Sequence, residues 1–401
     1  MSKAILTLNA GSSSIKFALY EEGCSTRRMV SHGAIEGIGE APCFTAQAPD
    51  ASVLESHAWA SSVALAHEDL LQPLLAWITS HLGKEALAAV GHRMVHGGAS
   101  FHRPVRINAA VMGELEKLTL LAPLHQPHSL AAVKAVASLR PDLSQVACFD
   151  TAFHHGMPSI ATNLGLPRTY ADAGVRRYGF HGLSYEYLAR QLRTLAPALA
   201  EGRVIMAHLG NGASLCAMHH GRSIDTTMGF SVLDGLMMGT RCGSLDPGVV
   251  LYLQQAGGLA VSAVENMLYH ESGLLGVSGL SNDMRTLLDS PDPHAREAID
   301  LFVYRIVKEI GALTSALGGL DALVFSGGIG EHAAPVRAEA CEALAWLGVK
   351  CDPVANERNQ TLISTRRSAV RVFVIPTDEE AMIAAHTADT IKDFSSQHEA
   401  A

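Results

Sequence analysis

The chain opens on ILTLNAGSSSIKF (residues 5–17), two short apolar runs rich in strand-forming residues around a small polar turn. That pattern predicts a β-hairpin. Gly11 permits a tight backbone path there, while Asn9, Ser12, Ser13 and Ser14 add small donors and Lys16 adds a cation, a composition able to hold a phosphate. An ordinary turn has the same ingredients. Residues 29–49, broken by Gly33, Gly37 and Gly39, extend the sheet. Residues 59–82 then take helical spacing, with Leu65, Leu70, Leu74, Leu75 and Ile78 on the repeat and Gly83 as the stop. Residues 88–98 run from a buried strand into a loop carrying Arg93, His96 and two glycines, where the arginine serves either a ligand or an ion pair of the fold.

Residues 111–121 are helical and end at APLHQP, whose two prolines stiffen a turn around His125; a helix over 128–139 follows. The strand over 146–155 delivers Asp150 and Thr151 at its carboxyl end, where open α/β sheets carry chemistry, although an aspartate there also suits a helix cap. Residues 156–177 read as loop. YGFHG (178–182) then sets His181 between glycines ahead of a helix over 184–196. Residues 204–217 repeat the opening pattern, with GNGAS (210–214) standing where GSSS (11–14) stood, so the chain reads as a duplication. Two such hairpins facing each other would hold a nucleotide's phosphates in a cleft. Residues 225–248 are too rich in glycine, methionine and threonine for a core helix and put Arg241 on a glycine-flanked loop. Paired arginines suit both a carboxylate and a transferring phosphoryl group. Helices are expected over 249–255, 260–271 and 295–317, with Asp283 and Arg285 between them. A buried strand over 321–326 opens into a triple-glycine turn that would let a flat ring approach the backbone, followed by a helix through Trp346. A last strand, 370–375, leads into PTDEE and a closing helix through Ile391.

Composition narrows the partners. A chain of 401 residues, 48% hydrophobic and 17% charged, has room for two or three packed domains. Its net charge of -9, with no lysine-arginine block, offers no electrostatic footprint for nucleic acid or an anionic membrane. No apolar run reaches the roughly 18 residues of a membrane span, and the start leads straight into a strand without a cleavable signal, so a cytoplasmic location is expected. The 7 cysteines are odd in number and widely spaced, which fits reduced thiols rather than a zinc framework. The 20 histidines invite a metal-hydrolase reading, yet His154-His155 and His219-His220 would point to opposite sides of a strand and no HExxH occurs.

In order, NAGSSSIKF, GHRMVHGG, APLHQP, FDTAFH, YGFHG, HLGNGAS, GLMMGTR, FSGGIGE and PTDEE make the chain resemble the acetokinase family of the actin, sugar kinase and Hsp70 superfamily, over residues 5–388. The resemblance implies an α/β, duplicated RNase H-like (actin-like ATPase) fold in two domains with a nucleotide cleft between them, 1–150 plus 378–401 and 151–377. It implies a homodimer and reversible phosphorylation of acetate to acetyl phosphate, with ATP/ADP as co-substrate and Mg2+ or Mn2+ as cofactor. By motif, Asn9 and Glu379 resemble the metal site, with Ser12, Ser14 and Lys16 around the phosphate end. Arg93 and Arg241 resemble the pair that grips the carboxylate and stabilises the phosphoryl, His181 would contact that phosphoryl, and Asp150 would orient Arg93; His125 is family-typical. His208, Leu209, Gly210, Asn211 and Gly212 would touch the nucleotide phosphates. Asp283, Met284 and Arg285 with Gly328, Ile329, Gly330, Glu331 and His332 would line the adenosine pocket. Val95, Leu124, Phe180 and Val232 match the acyl pocket.

The chain departs from the family's usual Thr-Pro-Leu-Glu at Ser231-Val-Leu-Asp234, and from Ser-Gly-Asp at Cys242-Gly-Ser244. Valine for proline changes the acyl pocket's shape, and one methylene is worth only about 1–3 kcal/mol, so a propionate kinase or broad short-chain acyl kinase is the alternative. A sugar kinase would need a base aspartate for a hydroxyl. An actin- or Hsp70-like switch would keep the hairpins without using the arginines.

Overall fold

The computed structural model describes residues 3–11, 13–22, 27–60, 65, 67–83, 86–123 and 125–399; Ser12 and Leu124, both expected at the site, lie outside the described residues. The chain divides into two compact units, 1–152 with 378–401, and 153–377.

The first unit contains β1 (Lys3–Ala10), β2 (Ser14–Glu22), β3 (Arg27–Glu36), β4 (Cys43–Gln47), β5 (Val53–Ala58), β6 (Ala86–Met94), β7 (Val105–Arg106) and β8 (Ser144–Phe149). They form one sheet in the order β5-β4-β3-β2-β1-β6-β8-β7. Successive residues of β1 serve opposite faces. Leu6 and Leu8 pack with Leu70, Leu74 and Ile78 of helix His67–Leu82, whereas Ile5 packs with Ala384 and Ala388 of helix Glu379–Glu399. Because both faces are covered, the strand reads as a continuous apolar run rather than an alternation. Each fully buried leucine here contributes roughly 1.5–3 kcal/mol.

The second unit contains β9 (Arg203–Leu209), β10 (Ala213–His219), β11 (Arg222–Thr226), β12 (Ala322–Ser326) and β13 (Arg371–Val374), in the order β11-β10-β9-β12-β13. The duplication is plain in the pairing. β3-β2-β1-β6-β8 and β11-β10-β9-β12-β13 are each an antiparallel meander of three strands extended by two parallel ones. This is the duplicated RNase H-like, actin-like ATPase fold. Tyr185, Leu188 and Leu192 of helix Gly182–Leu195 pack with Val204, Met206 and Val324 of this sheet, and helix Pro293–Leu317 packs against β9, β10 and β11.

Several boundaries differ from the pattern reading. Trp59 and Leu65, expected on a helix, pack against the first core from non-helical backbone, and the helix begins at His67. Their apolar character comes from burial, not helical period. Residues 156–177 contain two short helices, Ser159–Thr162 and Arg168–Asp172. The triple-glycine segment is not a turn but the short helix Gly327–His332, followed by Ala334–Ala343.

Candidate active site

In the first unit the site grows from strand ends. Arg93 is the penultimate residue of β6, and Asp150 directly follows β8; the two strands run parallel and adjacent, so both side chains leave the sheet at its carboxyl edge. The Arg93 guanidinium forks onto Asp150, with Nε 3.2 and 3.1 Å from the two carboxylate oxygens and Nη2 at 2.6 Å. Its Nη1 donates to Asn9 Oδ1 at 3.4 Å, and Nε lies 3.7 Å from Glu379 at the start of the closing helix. The Asp150 side chain is 2% exposed against 20% for Arg93. Burial pushes the Asp150 carboxyl up to about 6 despite Arg93, and Glu379 adds to the rise. Burial alone would lower the Arg93 guanidinium, but the charges of Asp150 and Glu379 outweigh it and hold it above its ordinary range. Asp150 therefore spends its charge on orienting Arg93, leaving the guanidinium edge facing Asn9 and Glu379.

Asn9 and Glu379 also supply hard oxygen donors that converge on the same guanidinium. One carboxylate and one amide oxygen suit a magnesium ion that keeps most of its waters. Burial and the neighbouring Glu379 raise the Glu380 carboxyl. Lys16 is exposed on β2 directly across from Asn9, and Ser14 opens that strand, its carbonyl accepting from Gly11 N at 2.8 Å.

In the second unit His181 takes a left-handed backbone (φ 58) as it caps helix Gly182–Leu195. Its Nδ1 meets Ser214 Oγ at 2.9 Å, and its ring stacks on His208 with centroids 4.4 Å apart. Ser184 Oγ lies 2.8 Å from both His208 Nδ1 and Thr377 Oγ1. Arg241 Nη1 donates to the Val232 carbonyl at 2.8 Å, so the backbone of Val232 anchors the second arginine. Gly212 closes the group: a Cβ there would stand 2.8 Å from Arg241 Nη2 and 3.2 Å from His181 Nε2, so only glycine leaves both side chains in place. Segments 231–235 and 242–244 meet each other. Ser244 Oγ donates to Asp234 Oδ1 at 2.7 Å and accepts from Gly235 N at 3.1 Å.

Beside this group lies a cavity of about 470 Å³, lined by Gly210 and Asn211, expected to touch the nucleotide phosphates, and by Asp283, Met284, Arg285, Gly328, Ile329 and His332, expected to line the adenosine pocket. Asn282, Leu288, Ala333 and Pro335 complete it. Leu288 falls one helical turn after Met284 on helix Met284–Asp289, a spacing that a helix period would have revealed, whereas Pro335 sits at the start of the helix after His332. Asp283 caps helix Met284–Asp289 by accepting from Arg285 N at 2.9 Å, and hydrogen bonds from the Arg285 side chain and backbone hold its carboxyl below the usual range.

Other expected site residues sit elsewhere. Glu331 does not line the cavity; its carboxylate accepts from Gly327 N at 2.8 Å and Thr377 N at 3.2 Å, a backbone role. Leu209 is fully buried in β9, and Gly330 gives its carbonyl to the buried Arg337 at 2.9 Å. Phe180 is 1% exposed, and its carbonyl accepts from His154 Nε2 at 2.9 Å while His154 Nδ1 accepts from Ser223 Oγ at 2.8 Å. Burial lowers His154 to about 4, so it is neutral and fits that pattern. His125 precedes helix Gln126–Leu139, and Val95 is half-buried after β6. Pattern reading missed Ser184, Tyr185, Ser214 and His154, because each faces the site's supports rather than a ligand.

The profile of the Acetokinase family matches residues 4–385. An acetate kinase of Rhodopseudomonas palustris (strain TIE-1) is 54% identical over 391 residues, covering 96% of this chain and 98% of the relative. An acetate kinase of Methylocella silvestris is 48% identical over 394 residues, covering 96% and 98%. Among solved structures, a propionate kinase from Francisella tularensis subsp. tularensis SCHU S4 superposes with a TM-score of 0.90 at 37% identity, covering 96% of this chain and 99% of that one. The acetate kinase of Porphyromonas gingivalis gives 0.86 at 35% identity, covering 97% and 100%. With its motifs in order, its sheets duplicated and nearly its whole length matched, the chain belongs to the acetokinase family.

Proposed function

We propose that this chain is an acetate kinase, transferring the γ-phosphoryl of ATP directly to acetate and back. The observation that carries the reading is a pair of arginines, each fixed from behind: Arg93 by Asp150 and Arg241 by the Val232 carbonyl. A carboxylate oxygen attacks the γ-phosphorus, an O–P bond forms, the bond to the ADP oxygen breaks, and no proton has to move. Acetate is already ionised at neutral pH, so the protein supplies positioning and charge rather than a base. Arg93 grips the acetate carboxylate, and Arg241 with His181 takes up charge on the transferring phosphoryl. The backbone of Gly210, Asn211 and Gly212 meets the nucleotide phosphates, and the 470 Å³ cavity takes adenosine. Asn9 and Glu379 hold the divalent cation, which when bound neutralises phosphate charge.

Three further points belong to the same reading. Among the described residues no helix is long and apolar enough to cross a membrane, and the six described cysteines are free thiols; both suit the cytoplasm. Helix Pro247–Gln255 buries none of its residues, and its Val249, Leu251 and Tyr252 are 39%, 53% and 65% exposed, an apolar face suited to a homodimer. The Val232 substitution raises propionate as the competing substrate. Steady-state turnover with Mg-ATP and acetate, propionate or butyrate, with the acyl phosphate trapped by hydroxylamine, tests the proposal. The highest kcat/KM is expected on acetate; a preference for propionate would change the substrate and keep the mechanism, and no acyl phosphate from any acid would overturn it.

A further inference from the structure

The surroundings of His181 contain more order than a lone phosphoryl contact requires. Ser214 and Tyr185 are both fully buried. Ser214 Oγ sits 2.5 Å from the Tyr185 phenol and 2.9 Å from His181 Nδ1. Burial keeps the phenol protonated, and among the described residues its hydrogen-bond partner is Ser214 Oγ. A buried phenol proton needs an acceptor, and the one at 2.5 Å is Ser214 Oγ. Ser214 is then left with one proton and one acceptor, His181 Nδ1.

We propose that Tyr185 and Ser214 are positioning residues: the relay from the Tyr185 phenol through Ser214 holds His181 as the tautomer with its proton on Nε2. That nitrogen is 3.2 Å from the Cβ position of Gly212, and Arg241 Nη2 is 2.8 Å from the same point, so the proton is presented where Arg241 also points. The hydrogen bond from His154 to the Phe180 carbonyl fixes the loop behind the ring. The consequence for turnover rests on the proposed role of His181 in phosphoryl transfer; the tautomer does not.

The test is nitrogen NMR on the full chain labelled with 15N-histidine, the His181 signals being identified by their loss in His181→Gln. The expected result is an unprotonated Nδ1 and a protonated Nε2. Ser214→Ala should mix the tautomers and lower kcat about tenfold, the worth of one fixed hydrogen bond, with KM for ATP and acetate moving less than about twofold. Tyr185→Phe keeps the ring volume, so it carries the test if the alanine variant does not fold, and it should give a smaller shift of the same kind. A proton on Nδ1 in the unaltered chain, or a tautomer unchanged in both variants, overturns the relay. Full kcat in His181→Gln would overturn the role of His181 in transfer and leave the relay standing.

Discussion

At the scale of single residues, the two arginines are held by different means. Arg93 leans on a buried carboxylate at 2.6 Å, whereas Arg241 leans on a main-chain carbonyl at 2.8 Å. Removing a charged donor aimed at a transition state costs roughly 3 kcal/mol or more, near a hundredfold in rate. Arg93→Ala and Arg241→Ala are therefore expected to bind ATP by calorimetry while turning over at least about a hundredfold more slowly; near-normal turnover would remove the arginine from the chemistry. Asp150 gives a pH signature. Its folded-state value of about 6 lies above the ordinary 3.8, so between those values the folded chain binds more protons than the unfolded one, and this residue's contribution to stability is lost as pH rises through 6. Activity runs the other way. Below about pH 6 the carboxyl takes up a proton and its hold on Arg93 weakens, so kcat/KM should fall on that acid limb. In Asp150→Asn the limb should vanish while the plateau drops; a limb that stays put belongs to another group.

At the scale of elements, short stretches reveal their chemistry through composition and conceal their geometry. The segment 327–332 offers three glycines, which alone argue for a turn. Glu331 reaches back to accept from Gly327 N and so ties off the first helical turn, while Gly327 enters that turn with a left-handed φ of 75 and Leu209's backbone against it. A Cβ on Gly327 would stand 2.8 Å from the Leu209 carbonyl oxygen. Gly327→Ala should cost about 1–3 kcal/mol of stability through strain, read as a lower midpoint in urea, and should weaken nucleotide binding at Gly328; an unchanged midpoint would mean that the backbone relaxes. The helix over 67–82 carries a related lesson. Pro73 lies inside it, yet buried Leu70, Leu71, Leu74 and Leu75 hold the segment helical.

At the scale of the molecule, the repeat explains why one chain carries two kinds of site. Each half opens on an antiparallel hairpin of its first two strands, closed by Gly11 N donating to the Ser14 carbonyl in one and Gly210 N donating to the Gly212 carbonyl in the other. The halves differ in what surrounds that turn, a carboxylate-arginine cluster in the first unit and a nucleotide-sized cavity in the second. The uncovered apolar face of helix Pro247–Gln255 also belongs to this scale. Tyr252→Glu places a charge on a side chain that is 65% exposed, so the single-chain fold should survive while sedimentation shifts toward the monomer. A monomeric parent chain, or a variant that stays dimeric, would take the interface away from this helix.

The order of motifs, the duplication and the identity of the charged residues were legible in the sequence, since strand runs, glycine turns and isolated arginines are local features. Local pattern also placed Asp150 and Arg93 at strand ends. Only the tertiary structure decided that these two share a bidentate contact, that Glu331 serves backbone amides instead of the cavity, that Ser244 and Asp234 answer each other, and that Tyr185 and Ser214 stand behind His181. Each of those facts joins residues from separate elements, and the partner a side chain finds in a packed interior depends on strand register and helix placement, which no single stretch of chain encodes.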